Sequence, residues 1–436
     1  MYITHKTIKA IGRFKIFKYT LMAKGAAVGA ITGMVIVLFR LGVDKLWGIS
    51  QQIMQYAHHS AFFIVVWLFI LFFISLFISF LLKAEPMISG SGIPQVKAEL
   101  GGDLSLKWWK VLLCKFMGCL LALGSGLSLG REGPSVLLGS MVGKGFCRIT
   151  KRIKAEERFL MTCGAGAGLT AAFNAPIAGA IFCLEEMNRS FSEKTLITAM
   201  ASTITADFVA SYVFGLKPIF ILKVGQTVPL RYYWLFLLLG VLLGVFGALF
   251  NKCLDMFQNL YKKSFRTSLK MVLPFAFVFI LGLFYPEAIG SGSHLAEIAS
   301  TGRLLIGSMC VLFIIRFLFF MICFGSGAPG GIFMPLLVFG AILGSIFGQL
   351  AGTSLGFGST YLETFVIVGM AGAFAAIVRA PITGIILISE MTGTLSHLLA
   401  LSLVSLAAYT VADILKAKPV YEQLLDRILR EISSQT

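Results

Sequence analysis

Long uninterrupted apolar runs dominate the pattern of this chain. No charged residue occurs from Ser60 to Leu82, a span of 23 positions, and Tyr232 to Asn251 adds 20 more. Each run is long enough, as a helix rising about 1.5 Å per residue, to cross a hydrocarbon layer of about 30 Å. The pattern therefore predicts an all-α protein with several membrane-crossing helices. The apolar stretches are repeatedly broken by glycine and proline, and three of the breaks share the form Gly-x-x-x-Pro: "GSGIP" (90–94), "GREGP" (130–134) and "GIFMP" (331–335). Proline fits the first turn of a helix, where a missing N–H costs nothing, and glycine permits the unusual backbone angles just before it. Each stretch, marked by Gly90, Gly92, Pro94, Gly130, Arg131, Gly133, Pro134, Gly331 and Pro335, reads as a helix start.

In hydrocarbon an unwound backbone is tolerated only where it is buried in protein or lines a wet cavity. Three helix starts among apolar runs thus predict an internal polar site. Their free N–H groups and the positive ends of their dipoles suit an anion, held by partial charges without a full cation. Such an anion is bound weakly enough to be released.

The glycines also disclose a repeat. "GSGLSLGREGPSVLLGSMVG" (124–143) overlies "GSGAPGGIFMPLLVFGAILG" (325–344), 201 residues on, and "GSG" at 90–92 recurs at 290–292. "NAPIAG" (174–179) overlies "RAPITG" (379–384), which places Glu185 on Glu390 and Glu186 opposite Met391. The chain reads as one transport domain, 1–436, with repeats at about 20–215 and 216–415 and a final helical segment, 416–436, that belongs to neither. The residues alone leave the relative orientation of the repeats open, with an inverted arrangement favoured.

Composition agrees with the pattern. Only 13% of the 436 residues are charged, against about 25% in soluble proteins, and mean hydropathy is +0.88. The net charge of +17 lies in short segments between apolar runs and at the two ends, with no aromatic-basic motif, so no nucleic-acid partner is expected. Positive-inside bias accounts for it and puts both termini on the cytoplasmic side. Eight cysteines without a CxxC pair read as buried free thiols, and five histidines, including His58 and His59, make no metal pattern. No HExxH or Ser/His constellation suggests an enzyme, and no metal or cofactor is expected.

Together "GSGIP", "GREGP", "GGIFMP", "AAFNAPIAGAIFCLEEM" (171–187) and "KPVYEQLL" (418–425) resemble the signature stretches of the CLC family of chloride channels and chloride/proton antiporters. The resemblance implies two inverted structural repeats of many tilted and partial helices, assembled as a homodimer with one pathway per subunit. It implies hydroxyls from Ser91 and Tyr421, and backbone amides of Ile332 and Phe333, around a central chloride. It makes Glu132 the gating glutamate and Glu186 the inner proton-transfer glutamate, a position that is acidic in antiporters and not in channels. The implied function is chloride/proton exchange, with a passive chloride channel and a fluoride/proton antiporter as alternatives. The implied setting is a bacterial plasma membrane, with lipids, chloride and protons as partners.

Three points remain open from the residues. Arg131 beside Glu132 also fits a local ion pair, and Glu185 and Glu390 have no assigned role. After "GSGIP", where many relatives carry an acid, this chain has Gln95 and then Lys97, which alters the field of the inner vestibule. The chain extends only 15 residues past Tyr421, so no cytoplasmic regulatory domain is expected in it.

Overall fold

A computed structural model of the protein describes the backbone of residues 5–57, 60–222, 228–264 and 270–433. Seventeen α-helices account for nearly all of it. The first eight are α1 (His5–Ala57), α2 (Ala61–Ala84), α3 (Ile93–Gly101), α4 (Trp108–Gly124), α5 (Glu132–Ile149), α6 (Lys154–Phe173), α7 (Pro176–Phe182) and α8 (Glu193–Phe214). The next eight are α9 (Tyr233–Ser264), α10 (Val272–Phe284), α11 (Ser293–Ser300), α12 (Ile306–Gly325), α13 (Phe333–Leu355), α14 (Leu362–Val378), α15 (Pro381–Thr392) and α16 (Leu398–Ile414), followed by α17 (Val420–Ser433). The two series correspond in order, each with a short third helix after a GSG turn and a fifth helix after a glycine-rich break. His58 and His59 lie outside the described residues.

Among the described residues, six helices are long and apolar enough to cross a membrane. Their outward faces are greasy, as on α2, where Phe62, Phe69, Phe73 and Phe80 are exposed. A face of this kind suits lipid or the apolar surface of another subunit. At the centre lie α5, α6, α13 and α14, buried on almost every side. They approach closely because glycines face glycines: a Cβ on Gly139 would lie 2.0 Å from the Gly164 carbonyl, and one on Gly340 would lie 2.4 Å from that of Gly369. These are corresponding pairs in the two series, an instance of small-residue packing between membrane helices.

The inversion follows from how the series meet. Gly130 and Gly331, equivalent in the repeat, face each other in an antiparallel bridge, the N–H of each donating to the carbonyl of the other at 2.7 and 2.6 Å. Gly90 N–H donates to Gly327 O, and Gly290 N–H donates to Gly126 O, again as symmetry mates. Two buried cations repeat the theme. Lys115 on α4 donates to the carbonyls of Ile88 and Gly90, and Arg316 on α12 donates to those of Ala288, Ile289 and Gly290.

Glu185 and Glu390 acquire a role here. Glu185 accepts from the backbone N–H groups of Ile382 and Thr383 at the start of α15, while Glu390 accepts from Ile177 and Ala178 at the start of α7. Each repeat thus caps a partial helix of the other, where a carboxylate meets free donors and the positive end of a helix dipole. The cysteines are free, but the expectation that all are buried fails at Cys310, which is exposed on α12, and holds only in part at Cys114 and Cys253, which are half-buried. An uncharged thiol is acceptable on a face that looks into lipid.

The caps should be measurable. Glu185→Ala and Glu390→Ala should each cost about 2 kcal/mol, the scale of hydrogen bonds to a charged group, and lower the thermal unfolding midpoint in detergent. A midpoint equal to that of the parent protein would show that the caps add nothing.

Candidate functional site

Three helix starts converge beside α17. The first is Gly92, at φ +101°, which turns the chain into α3 and leaves Ser91 pointing along the break. Left-handed angles of this kind are cheap only for glycine. The second is the start of α5 at Glu132, with Pro134 in its first turn; the third is the start of α13 at Phe333, with Pro335 in the same place. Contacts are tight: a Cβ on Gly133 would lie 2.3 Å from Ser91 Oγ and 3.2 Å from Gly331 Cα. Tyr421, fully buried at the start of α17, presents its hydroxyl beside that of Ser91.

Polar atoms at this crossing are buried without protein partners of good geometry. Ser91 Oγ, Tyr421 Oη and both carboxylate oxygens of Glu132 are all in this condition. Leaving a buried donor or acceptor unsatisfied costs about 1–3 kcal/mol, so such a cluster marks a place for something the protein does not itself supply. Two O–H donors and helix N-termini suit an anion. Glu132, also an anion, is packed against Gly130 and close to the backbone N–H of Met334 in the first turn of α13. An ionised carboxylate and a bound anion would call on the same kind of donor. Met334 was not foreseen; its signal was its place one residue after Phe333 at a helix start.

Ile332 and Phe333 stand where expected, at the N-cap and first residue of α13. The Phe333 ring packs between those of Phe173 and Phe374, with centroids 5.4 and 4.7 Å away. Arg131 does not pair with Glu132; it reaches Asp44 at 3.4 Å and leaves the carboxylate without an ion-pair partner. Full positive charge is nevertheless near. Arg131, although turned to Asp44, and with a smaller effect Arg40, buried on α1, lie within electrostatic reach of Glu132, so the donors at the crossing are partial charges backed by cations farther out.

Clefts reach this crossing from two directions. One, of about 340 Å³, is lined by Asp44, Arg131, Glu132, His294 and Glu297. The other, of about 310 Å³, opens beside α17 and is lined by Ser91, Gln95, Leu424 and Arg427. Glu132 thus faces one side and Ser91 the other.

Glu186 lies on the α17 side. It sits in a π-helical turn, Cys183–Asn188, that continues α7. Widening the turn separates the two acids, a local distortion of the kind often found at functional sites. Glu185 points to the α15 cap, and Glu186 turns inward to Lys97 of α3, with Nζ to Oε1 at 2.7 Å. A solvated helix end is excluded, since Glu186 is 3% exposed. Tyr421 lies close enough to both Glu132 and Glu186 to interact with each. Among the described residues no cluster of His, Cys, Asp or Glu has a metal-holding arrangement.

Comparison with known proteins places this architecture. Residues 74–413 match the family model described as voltage gated chloride channel. The chain is 37% identical, over 94% of its length and 89% of the relative's, to the H(+)/Cl(-) exchange transporter ClcA of Citrobacter koseri, and 36% identical to ClcA of Yersinia pestis. Its fold matches the crystal structure of a slow cyanobacterial Cl-/H+ antiporter with a TM-score of 0.90, 32% identity, and coverage of 94% of this chain and 98% of that one. A CLC-type fluoride/proton antiporter, at 19% identity and a TM-score of 0.76, shares the fold. The chain belongs to the voltage-gated chloride channel family, the CLC family.

The tight crossing yields a test. Gly133→Ala would push Ser91 off its position, and overpacking of this kind costs about 1–3 kcal/mol. Chloride binding to the purified protein, followed by calorimetry, should weaken about tenfold or more. Unchanged binding would show that the Ser91 hydroxyl is not a ligand.

Proposed function

We propose that this protein is a secondary active antiporter that exchanges chloride for protons. The observation that carries the reading is the set of unsatisfied atoms at the crossing, Ser91 Oγ, Tyr421 Oη and the Glu132 carboxylate, with a second buried carboxylate, Glu186, beyond Tyr421. The curated relatives carry the same activity in their names.

Chloride entering from the α17 side is held by the hydroxyls of Ser91 and Tyr421 and by the amides at Ile332 and Phe333. Ionised, Glu132 occupies the donors near Met334 and blocks the way onward. When Glu132 takes a proton it loses its charge and its claim on those donors, and an anion replaces it. Proton and chloride thus take turns at one site, which makes their movements interdependent. On the other side, Glu186 accepts a proton from water and returns to carboxylate when the proton moves on toward Glu132. The donors for chloride are neutral, so binding stays weak enough for release. Transport of this kind needs no cofactor and no covalent catalysis.

The basic segments near both ends support termini on the cytoplasmic side of a bacterial plasma membrane. Exposed apolar side chains on α8 and α16, including Ile204, Phe208, Leu399 and Leu406, support a homodimer embedded in lipid, with one pathway in each subunit.

In liposomes a chloride gradient should drive protons uphill, and chloride flux with no linked proton movement would make the protein a passive channel instead. Glu132→Gln should abolish proton coupling while chloride still passes; retained coupling would remove it from the gate. For Glu186→Gln, proton flux should fall roughly a hundredfold, the scale on which a positioned proton carrier acts, with a smaller loss of chloride flux. Equal loss of both would point to misfolding.

A further inference from the structure

Lys97 follows the departure at Gln95, just after the "GSGIP" stretch, and the structure gives it a partner. Helix α3 carries Ser91 just before its start and Lys97 on its second turn, so one short helix serves both the anion site and the acid behind it. The ammonium donates to Glu186 Oε1 at 2.7 Å, with side chains only 8% and 4% exposed. Two other charged groups face this carboxylate, Arg189 at the end of its own helical turn and Glu422 on α17, and these pair with each other. Tyr421 faces it as well. Lys97 is therefore the direct counter-charge of Glu186.

A carboxylate buried without a partner keeps its proton, because burial penalises the charged form. An ammonium in hydrogen-bond contact opposes protonation, typically by about 1–3 pH units. The contact also fixes which oxygen remains free to receive a proton. We infer that Lys97 is a positioning residue for the proton branch of transport: its ammonium favours the carboxylate form of Glu186 against the penalty of burial and so sets the acidity at which the α17 side loads a proton. This rests on the reading of Glu186 as the inner proton carrier. Loading requires a hydronium ion on the α17 side to hand its proton to Glu186, leaving water, while the ion pair loosens, and passing the proton on restores the pair. Proton transport is held back at high pH, where loading is rare.

The test uses the full chain in liposomes, with proton and chloride fluxes followed separately while the pH on both sides is varied. Lys97→Met should raise the midpoint of the proton-flux profile by about one pH unit or more, with chloride flux changing less than proton flux. Lys97→Arg, which keeps the charge, should retain the original midpoint. An unchanged midpoint in Lys97→Met overturns the inference. Glu186→Gln separates the two readings: persistent proton transport in that variant rejects Glu186 as carrier, and Lys97 falls with it. If proton transport is lost there but Lys97→Met leaves the midpoint in place, only the role of Lys97 fails. Removing one partner of a buried pair can block folding, so infrared difference spectra of the parent protein against Glu186→Gln provide a second reading. An ionised Glu186 at neutral pH is expected, and a protonated one overturns the inference.

Discussion

A helix that stops inside a membrane exposes backbone groups where no water can reach them, and this constraint organises the whole molecule. Each unsatisfied group in hydrocarbon costs several kcal/mol, so every interrupted helix needs a partner built for it. Here that partner is usually the other repeat. Gly130 and Gly331 satisfy one another, Gly90 is met by Gly327 and Gly330, and Gly290 by Gly126. The carbonyls of both GSG turns are gathered by a buried cation, Lys115 in one repeat and Arg316 in the other. The free N–H groups of α7 and α15 are capped by acids from across the interface. Neither repeat is complete alone.

With the scaffold satisfied in this way, the crossing of α3, α5 and α13 can leave polar atoms open without losing its shape. The glycines hold it rigid because there is no room for a Cβ at Gly133 or Gly331. In the proposed function an ion would meet donors already in position. Such preorganisation lets binding proceed without paying to order the site.

The scaffold is symmetric, but the chemistry is not. Where the first repeat has Glu132 and Glu186, the second has Phe333 and Met391, both buried. Phe333 fills its place with a ring packed at a tilt between two others, so the helix start itself has no need of an acid. Glu185 and Glu390 are the contrasting case, retained in both repeats because both partial helices need a cap. Acids kept in both copies hold the structure together, while acids found in only one are available to carry charge. The π-helical turn makes this division possible within a single Glu-Glu pair.

Much of this was legible in the chain itself. Apolar run length required a membrane, Gly-x-x-x-Pro marked the helix starts, and the repeat offset predicted which halves correspond, because these are local or periodic features that any folded form must obey. Those features determined the class of fold, while Ser91, Glu132, Glu186 and Tyr421 became candidates only through the resemblance of their motifs to the CLC family. Partnership was beyond it. Lys97 meets Glu186 across 89 residues, and Glu185 meets α15 across 198. The alignment of Glu185 with Glu390 was the one available hint of the caps, and it gave no direction. Whether Arg131 would pair with its neighbour or with Asp44, and which oxygen of each acid would be left open, depended on how helices pack in three dimensions. Electrostatic partners are chosen by distance in space and burial from water, and only the tertiary structure sets those.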